Sequence, residues 1–260
     1  VDLLIDKTKK LKISSDNYES NNQKFENYSM SIFIVGLPRC GSTLVESIIS
    51  LNTKVKDLGE VNIFEESYRE FKQSEKRKSL SEIYWEKLEI TDSKTITTNK
   101  WLFNYQYAGI IAKAIPNAKI IHCYRNPLDN ILSTYRAHFA TGNNFSSSLV
   151  DSAEVYSDQD KIMRTYKKEF KNHIYSLNYD KLVTHPSDEI KSLINWLGWS
   201  WNDLYLSPHL NKRKVSTRSN VQVRSPINSK SLGGWKNYKE MLKPAMEILT
   251  EKEKYKDLKY

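Results

Sequence analysis

The chain has 260 residues, 39 % of them hydrophobic and 12 % aromatic, which excludes an intrinsically disordered protein and favours one α/β domain over two small ones. Lys and Arg number 40 against 31 Asp and Glu, a formal charge of +9, so an anionic partner is expected: a nucleotide, a nucleic acid, an acidic peptide or an anionic surface. Two cysteines, Cys40 and Cys123, without CxxC or zinc-type spacing exclude a disulfide framework, and no apolar run approaches the ~20 residues of a membrane-spanning helix.

Residues 1–30 are polar, rich in Lys and Asn and weakly patterned. They read as a lead-in arm without a signal-peptide pattern, ahead of a catalytic domain over 31–260. The chain opens on Val1 rather than Met, as expected of a piece of a longer protein. A soluble domain is expected, cytoplasmic if the host is bacterial.

The first firm element is 31-SIFIVGL-37, whose apolar, β-branched run predicts a buried parallel strand breaking at Pro38. After 38-PRCGST-43 comes 44-LVESIISL-51 at helical spacing, with Ser42 or Thr43 as candidate cap. Helical patterns follow at 62–75 and 103–115, with a strand candidate at 95-TITT-98 between them. A second strand, loop and helix unit runs from 118-AKIIHCY-124 into 125-RNPLDNILSTYRAHF-139, where Pro127 suits the first helical position. Residues 149–171 read as a long helix, 173-HIYSLNY-179 as a strand and 186-PSDEIKSLINWLGW-199 as a helix. The tail from 211 is basic and irregular until a last helix at 234–250. This alternation predicts an α/β, P-loop-like three-layer fold with a central parallel sheet flanked by helices.

The string 36-GLPRCGST-43 has the G-x-x-x-x-G-S-T spacing of a phosphate loop, with Ser42 where a nucleoside triphosphatase carries Lys. Backbone N–H groups and the following helix N-terminus make Pro38, Arg39, Cys40, Gly41, Ser42, Thr43 and Leu44 a candidate anion site. Arg39 can supply the missing charge, and no metal is expected. On this segment alone, a plain strand-to-helix turn remains the alternative. Arg125, just past the second strand, and Ser133, eight residues on, can converge on a second phosphate. An ion pair between Arg125 and Asp129 competes with that reading.

The two motifs together resemble the PAPS-dependent sulfotransferases, which use 3′-phosphoadenosine-5′-phosphosulfate as sulfuryl donor and release 3′-phosphoadenosine-5′-phosphate (PAP). The string 33-FIVGLPRCGSTLVESIIS-50 is similar to their 5′-phosphosulfate loop, and 121-IHCYRNPLDNILSTY-135 to their 3′-phosphate motif. The resemblance covers roughly 31–250 and is greatest to tyrosylprotein sulfotransferases and to bacterial sulfotransferases that follow tetratricopeptide repeats. It implies Glu60 as general base, with Lys100, Arg39 and Ser219 stabilising charge on the bridging oxygen. It also implies that Arg125, Ser133, Tyr179, Gln222, Val223 and Trp235 hold the nucleotide, although Trp235 suits packing at a helix start better than stacking on the base. Without the resemblance, Glu60 reads as a helix N-terminal carboxylate and Lys100 as a solvated loop lysine.

The catalytic His and loop Lys of the cytosolic small-molecule sulfotransferases are not evident. Of the five histidines, His122 is expected to pack in a strand, and His138, His173, His185 and His209 have no partner at metal spacing. The partners implied are PAPS and a hydroxyl-bearing acceptor, acidic if the basic rim selects it; no nucleic acid is expected, and a homodimer is compatible. Three alternatives stay open: a kinase-like phosphotransferase, a polyanion binder using the basic stretch 208–224, and a PAPS-binding module without catalysis.

Overall fold

A computed structural model describes residues 1–19, 29–74, 78–90, 94–137, 139, 142–211 and 224–256. Five parallel strands form one sheet: β1 (Ser31–Gly36), β2 (Val55–Asp57), β3 (Ile96–Asn99), β4 (Ala118–Tyr124) and β5 (Ile174–Asn178), in the order β2-β3-β1-β4-β5. The central strand β1 is buried along its whole length. Its side chains alternate between two cores, Phe33 and Val35 on one face, Ile32 and Ile34 on the other. Covering both faces with helices is what gives a parallel strand an unbroken apolar run.

The helices are α1 (Asp2–Asp16), α2 (Ser42–Ile49), α3 (Ile63–Gln73), α4 (Leu80–Leu88), α5 (Ala108–Ala114), α6 (Pro127–Tyr135), α7 (Leu149–Glu169), α8 (Tyr179–Thr184), α9 (Pro186–Trp196) and α10 (Lys239–Thr250). The three-layer α/β architecture expected from the alternation is present. Pro127 occupies the first turn of α6, capped by Asn126, whose side chain accepts from the N–H groups of Leu128 and Asp129. The pattern at 103–115 divides into a 3-10 turn, Leu102–Tyr107, and α5.

Three expectations change. The supposed lead-in arm contains α1, which docks on the body. Leu11 is buried, and the Gln106 amide donates to Leu4 O at 3.1 Å and Thr8 Oγ1 at 2.9 Å. Its buried stripe is Thr8, Leu11 and Ser15, two of them hydroxyl residues, too polar to register as an apolar period. Helix α4 is an element the apolar pattern does not predict, although 79-SLSE-82 forms a capping box, with the Ser79 N–H donating to Glu82 Oε2 at 2.6 Å. The cap of α2 is Gly41 rather than Ser42 or Thr43.

His122 on β4 is buried, 2.7 Å from the Gln159 amide of α7 and stacked on Tyr124. It packs, as a strand histidine should. Burial holds its imidazole down at about 4 against an ordinary 6.5. Between those values the unfolded chain binds a proton that the folded chain refuses. Stability should therefore be complete above pH 6.5 and fall toward pH 4, by at most ~3 kcal/mol from this group. Urea melts from pH 7 to 4.5 check this: His122→Gln should flatten part of the decline.

Candidate active site

In the order β2-β3-β1-β4-β5 the chain leaves β1 toward β2 on one side and β4 toward β5 on the other. The loops after β1 and β4 therefore diverge, opening a crevice at the carboxyl ends of adjacent strands. Gly36 faces Cys123 across the ladder, and a Cβ on it would lie 2.4 Å from Cys123 O. The turn beyond bends sharply, with Arg39 at φ 69° and Gly41 at φ 91°. Asn130 and Thr134 of α6 donate to Pro38 O at 3.0 and 3.3 Å, tying the loop to the second unit.

A Cβ at Gly41 would meet the Tyr179 ring at 2.2 Å. Gly41→Ala should destabilise the fold by at least ~1–2 kcal/mol from the left-handed backbone alone, read as a lower urea midpoint, and should push the Tyr179 ring from the loop.

The side chains expected at the two phosphate sites come together. Arg39 Nε donates to Ser133 Oγ at 3.1 Å. The Arg125 guanidinium lies 4.9 Å from the Tyr179 ring centroid and donates to Ser231 O at 2.7 Å. Tyr179 and Ser231 share a hydrogen bond of 2.9 Å between hydroxyls. Tyr179 is the first residue of α8 rather than the end of a strand, because the Asn178 side chain caps the helix directly after β5. Arg39, Gly41, Thr43, Arg125, Ser133 and Tyr179 line a cleft of about 530 Å³. A second lobe of about 480 Å³ shares Arg39, Arg125, Ser133 and Lys230 and adds Asp129 and Arg136.

Asp129 does pair with Arg125, at 3.8 Å, but its role is wider than a local salt bridge. It accepts from the N–H groups of Gly233 at 2.7 Å and Trp235 at 3.1 Å, so one buried carboxylate fixes the guanidinium and the segment that closes over it. That same anchoring seats Trp235 in the main core, where it packs against its neighbours instead of lining the cleft. The Trp235 ring thus belongs to the core, at the start of the last helical segment.

Lys100 is not a solvated loop lysine. It follows β3, and its Nζ lies 2.6 Å from Glu60 Oε1 and 3.9 Å from Glu46 Oε2. Backbone pairing past the β2–β3 ladder, from Leu58 N to Thr98 O and from Lys100 N to Gly59 O, sets Glu60 and Lys100 side by side. Lys100 is 1 % exposed and Glu60 46 %: a buried ammonium holds a carboxylate that faces solvent. The strands β3 and β4 flank β1, so Lys100 and Arg125 leave the sheet on opposite sides of the phosphate loop. Cys40 and Cys123 are free and buried. A hydrogen bond to Cys123 lowers the Cys40 thiol, while burial raises that of Cys123.

Ser219, Gln222, Val223 and His138 lie outside the described residues, as does 212–223 of the basic stretch. Lys230, Ser231 and Glu46 were not among the residues that the sequence marks individually. The run 228-NSKSLGG-234 carried the only local signal, a short polar and glycine-rich segment of the kind that closes on an anion. No helix among the described residues is long and apolar enough to cross a membrane.

Residues 31–203, which contain the loop, the Glu60–Lys100 pair, Arg125 and Tyr179, match the sequence model of the sulfotransferase family. The chain belongs to the sulfotransferase family. An uncharacterized protein of Aquifex aeolicus (strain VF5) is 31 % identical over 244 residues, which cover 85 % of this chain and 32 % of that protein. Protein-tyrosine sulfotransferase 1 of Danio rerio is 24 % identical over 232 residues, covering 78 % and 65 %. The chain thus spans about a third of the length of the first relative and just under two thirds of the second. The fold is shared with the sulfotransferase domain of the Synechococcus PCC 7002 olefin synthase, at TM-score 0.66 and 13 % identity over 90 % of this chain and 98 % of that one. It is shared also with a mouse sulfotransferase complexed with PAP, at TM-score 0.58 and 18 % identity over 92 % of each chain.

Proposed function

We propose that this sulfotransferase-family chain moves a sulfuryl group from PAPS to an acceptor hydroxyl by in-line displacement. The observation that carries the reading is the convergence, at one crevice, of Arg39 with Ser133 and of Arg125 with Tyr179 beside a phosphate loop that has Ser42 in place of the triphosphatase lysine. A donor with two separated phosphate groups matches this double site better than a triphosphate does. The family match and the PAP complex of the mouse neighbour point the same way.

In this reading the loop N–H groups and the α2 N-terminus hold the 5′-phosphosulfate, while Arg125, Ser133 and Lys230 take the 3′-phosphate. Glu60, the solvent-facing carboxylate, accepts the proton of the acceptor hydroxyl as that oxygen bonds to sulfur. The bond from sulfur to the bridging phosphate oxygen breaks, and PAP leaves. Arg39 and Lys100 meet the charge that grows on the bridging oxygen, an interaction that strengthens as the bond lengthens and therefore lowers the barrier.

For the acceptor, the cations around the crevice favour an acidic molecule, and the protein-tyrosine sulfotransferase relative makes an acidic tyrosyl peptide the first choice. The test is transfer from labelled PAPS to a panel of tyrosyl peptides, sugars, phenols and lipids. Label in an acidic tyrosyl peptide supports the whole reading; label only in sugars, phenols or lipids keeps the transfer and replaces the acceptor; PAP binding with no transfer leaves a donor-binding module.

A further inference from the structure

Glu46 sits on α2, on the strand of chain that follows the phosphate loop, and its side chain is 1 % exposed. It accepts from Thr98 Oγ1 at 3.3 Å and lies 3.9 Å from the Lys100 ammonium, itself 1 % exposed. Charges without access to water are costly unless partners of opposite charge and hydrogen bonds stabilise them. Lys100 already has a counter-ion in Glu60 at 2.6 Å. A second carboxylate, fully desolvated, costs folding free energy that the Glu60–Lys100 pair does not require.

We infer that Glu46 is a positioning residue of the transfer reaction: it keeps the Lys100 ammonium charged and in place while Glu60 takes the acceptor proton. The inference rests on the sulfuryl-transfer reading above. When Glu60 receives that proton it becomes a neutral acid and ceases to be a counter-ion. Lys100, buried, then has Glu46 as its remaining fixed negative partner. The acceptor cannot reach Glu46, so its charge is constant through the step. Held from behind, Lys100 neither follows Glu60 nor gives up its own proton, and it stays directed at the oxygen that leaves. The proton moves only from the acceptor hydroxyl to Glu60; Glu46 and Lys100 exchange none. The unequal exposure of the two carboxylates, 1 % and 46 %, divides the work between a permanent and a switchable counter-charge.

The experiment compares Glu46→Gln in two backgrounds, wild type and Lys100→Met, with kcat from labelled PAPS and PAP affinity by calorimetry. In the wild-type background kcat should fall about tenfold to a hundredfold, as for a displaced catalytic group, while the PAP Kd changes less than about threefold. Glu46→Asp should recover part of the loss. In the Lys100→Met background Glu46→Gln should cost less than about twofold more, since residues acting as a unit are not additive. Near wild-type kcat in Glu46→Gln overturns the inference. So does an equal fractional loss in both backgrounds, or a loss of PAP binding that accounts for the loss of rate; each would make Glu46 a support of the fold. If Glu46→Gln fails to fold, Thr98→Val, which removes the hydroxyl bonded to Glu46, should show the same loss confined to kcat, and an unchanged kcat there overturns it. A wild-type protein that binds PAP and labels no acceptor defeats the underlying reading and takes the inference with it; an active wild type with an indifferent Glu46→Gln defeats the inference alone.

Discussion

Glu60→Gln is expected to lower kcat for sulfuryl transfer by about a hundredfold to ten-thousandfold, the range of a positioned general base, with PAP affinity nearly unchanged. The amide preserves the shape of the carboxylate and can still accept from Lys100, whose Nζ lies 2.6 Å from Glu60 Oε1, but it cannot take a proton. Lys100 retains Glu46 as counter-ion, so the ammonium remains compensated and the variant should fold. Glu60 is on the solvent side of the pair and does not line the cleft of Arg39, Arg125 and Ser133 that would hold the donor. Initial rates with labelled PAPS, alongside PAP calorimetry, separate the two effects. A variant that keeps most of its rate would move the base to another residue.

The second large effect is on binding. Arg125→Ala should weaken PAP about a hundredfold or more, in line with the 2–5 kcal/mol typical of truncating a buried, hydrogen-bonded charge. Arg125 is 6 % exposed and reaches Ser231 O, Asp129 and the Tyr179 ring together. Its loss removes a cation from the cleft and also leaves the Asp129 carboxylate uncompensated, so the closing segment at Gly233 and Trp235 should loosen as well. Arg125→Lys keeps the charge without the planar fork and should fall between. Titrations at two salt concentrations report both terms: wild type should lose affinity as salt rises, and Arg125→Ala should lose less of it. A Kd for Arg125→Ala within about threefold of wild type would place the second phosphate elsewhere.

What was readable in the sequence is what neighbours along the chain decide. The strand β1, its turn and α2 could be read because a strand covered on both faces is apolar at every position, and because a turn that exposes backbone N–H groups needs small residues such as Gly36 and Gly41. The unit from β4 to α6 could be read for the same reason, with Pro127 and Asn126 marking the helix start. The helix α1 could not, since its buried face is Thr8, Leu11 and Ser15 and gains its meaning only from Gln106, Lys113 and the body it lies on.

The phosphate loop thus follows from local backbone geometry, and composition and spacing alone mark an anion site in an α/β chain. Pairings across long stretches of chain belong to the tertiary structure. Lys100 meets Glu60 across 40 residues, Arg39 meets Ser133 across 94, and Arg125 meets Ser231 across 106. Each depends on the strand order β2-β3-β1-β4-β5, which places the ends of β3, β1 and β4 side by side. The burial of Lys100 and the double duty of Asp129 likewise arise only after packing. They depend on desolvation and on distances between segments, quantities that no window of residues contains.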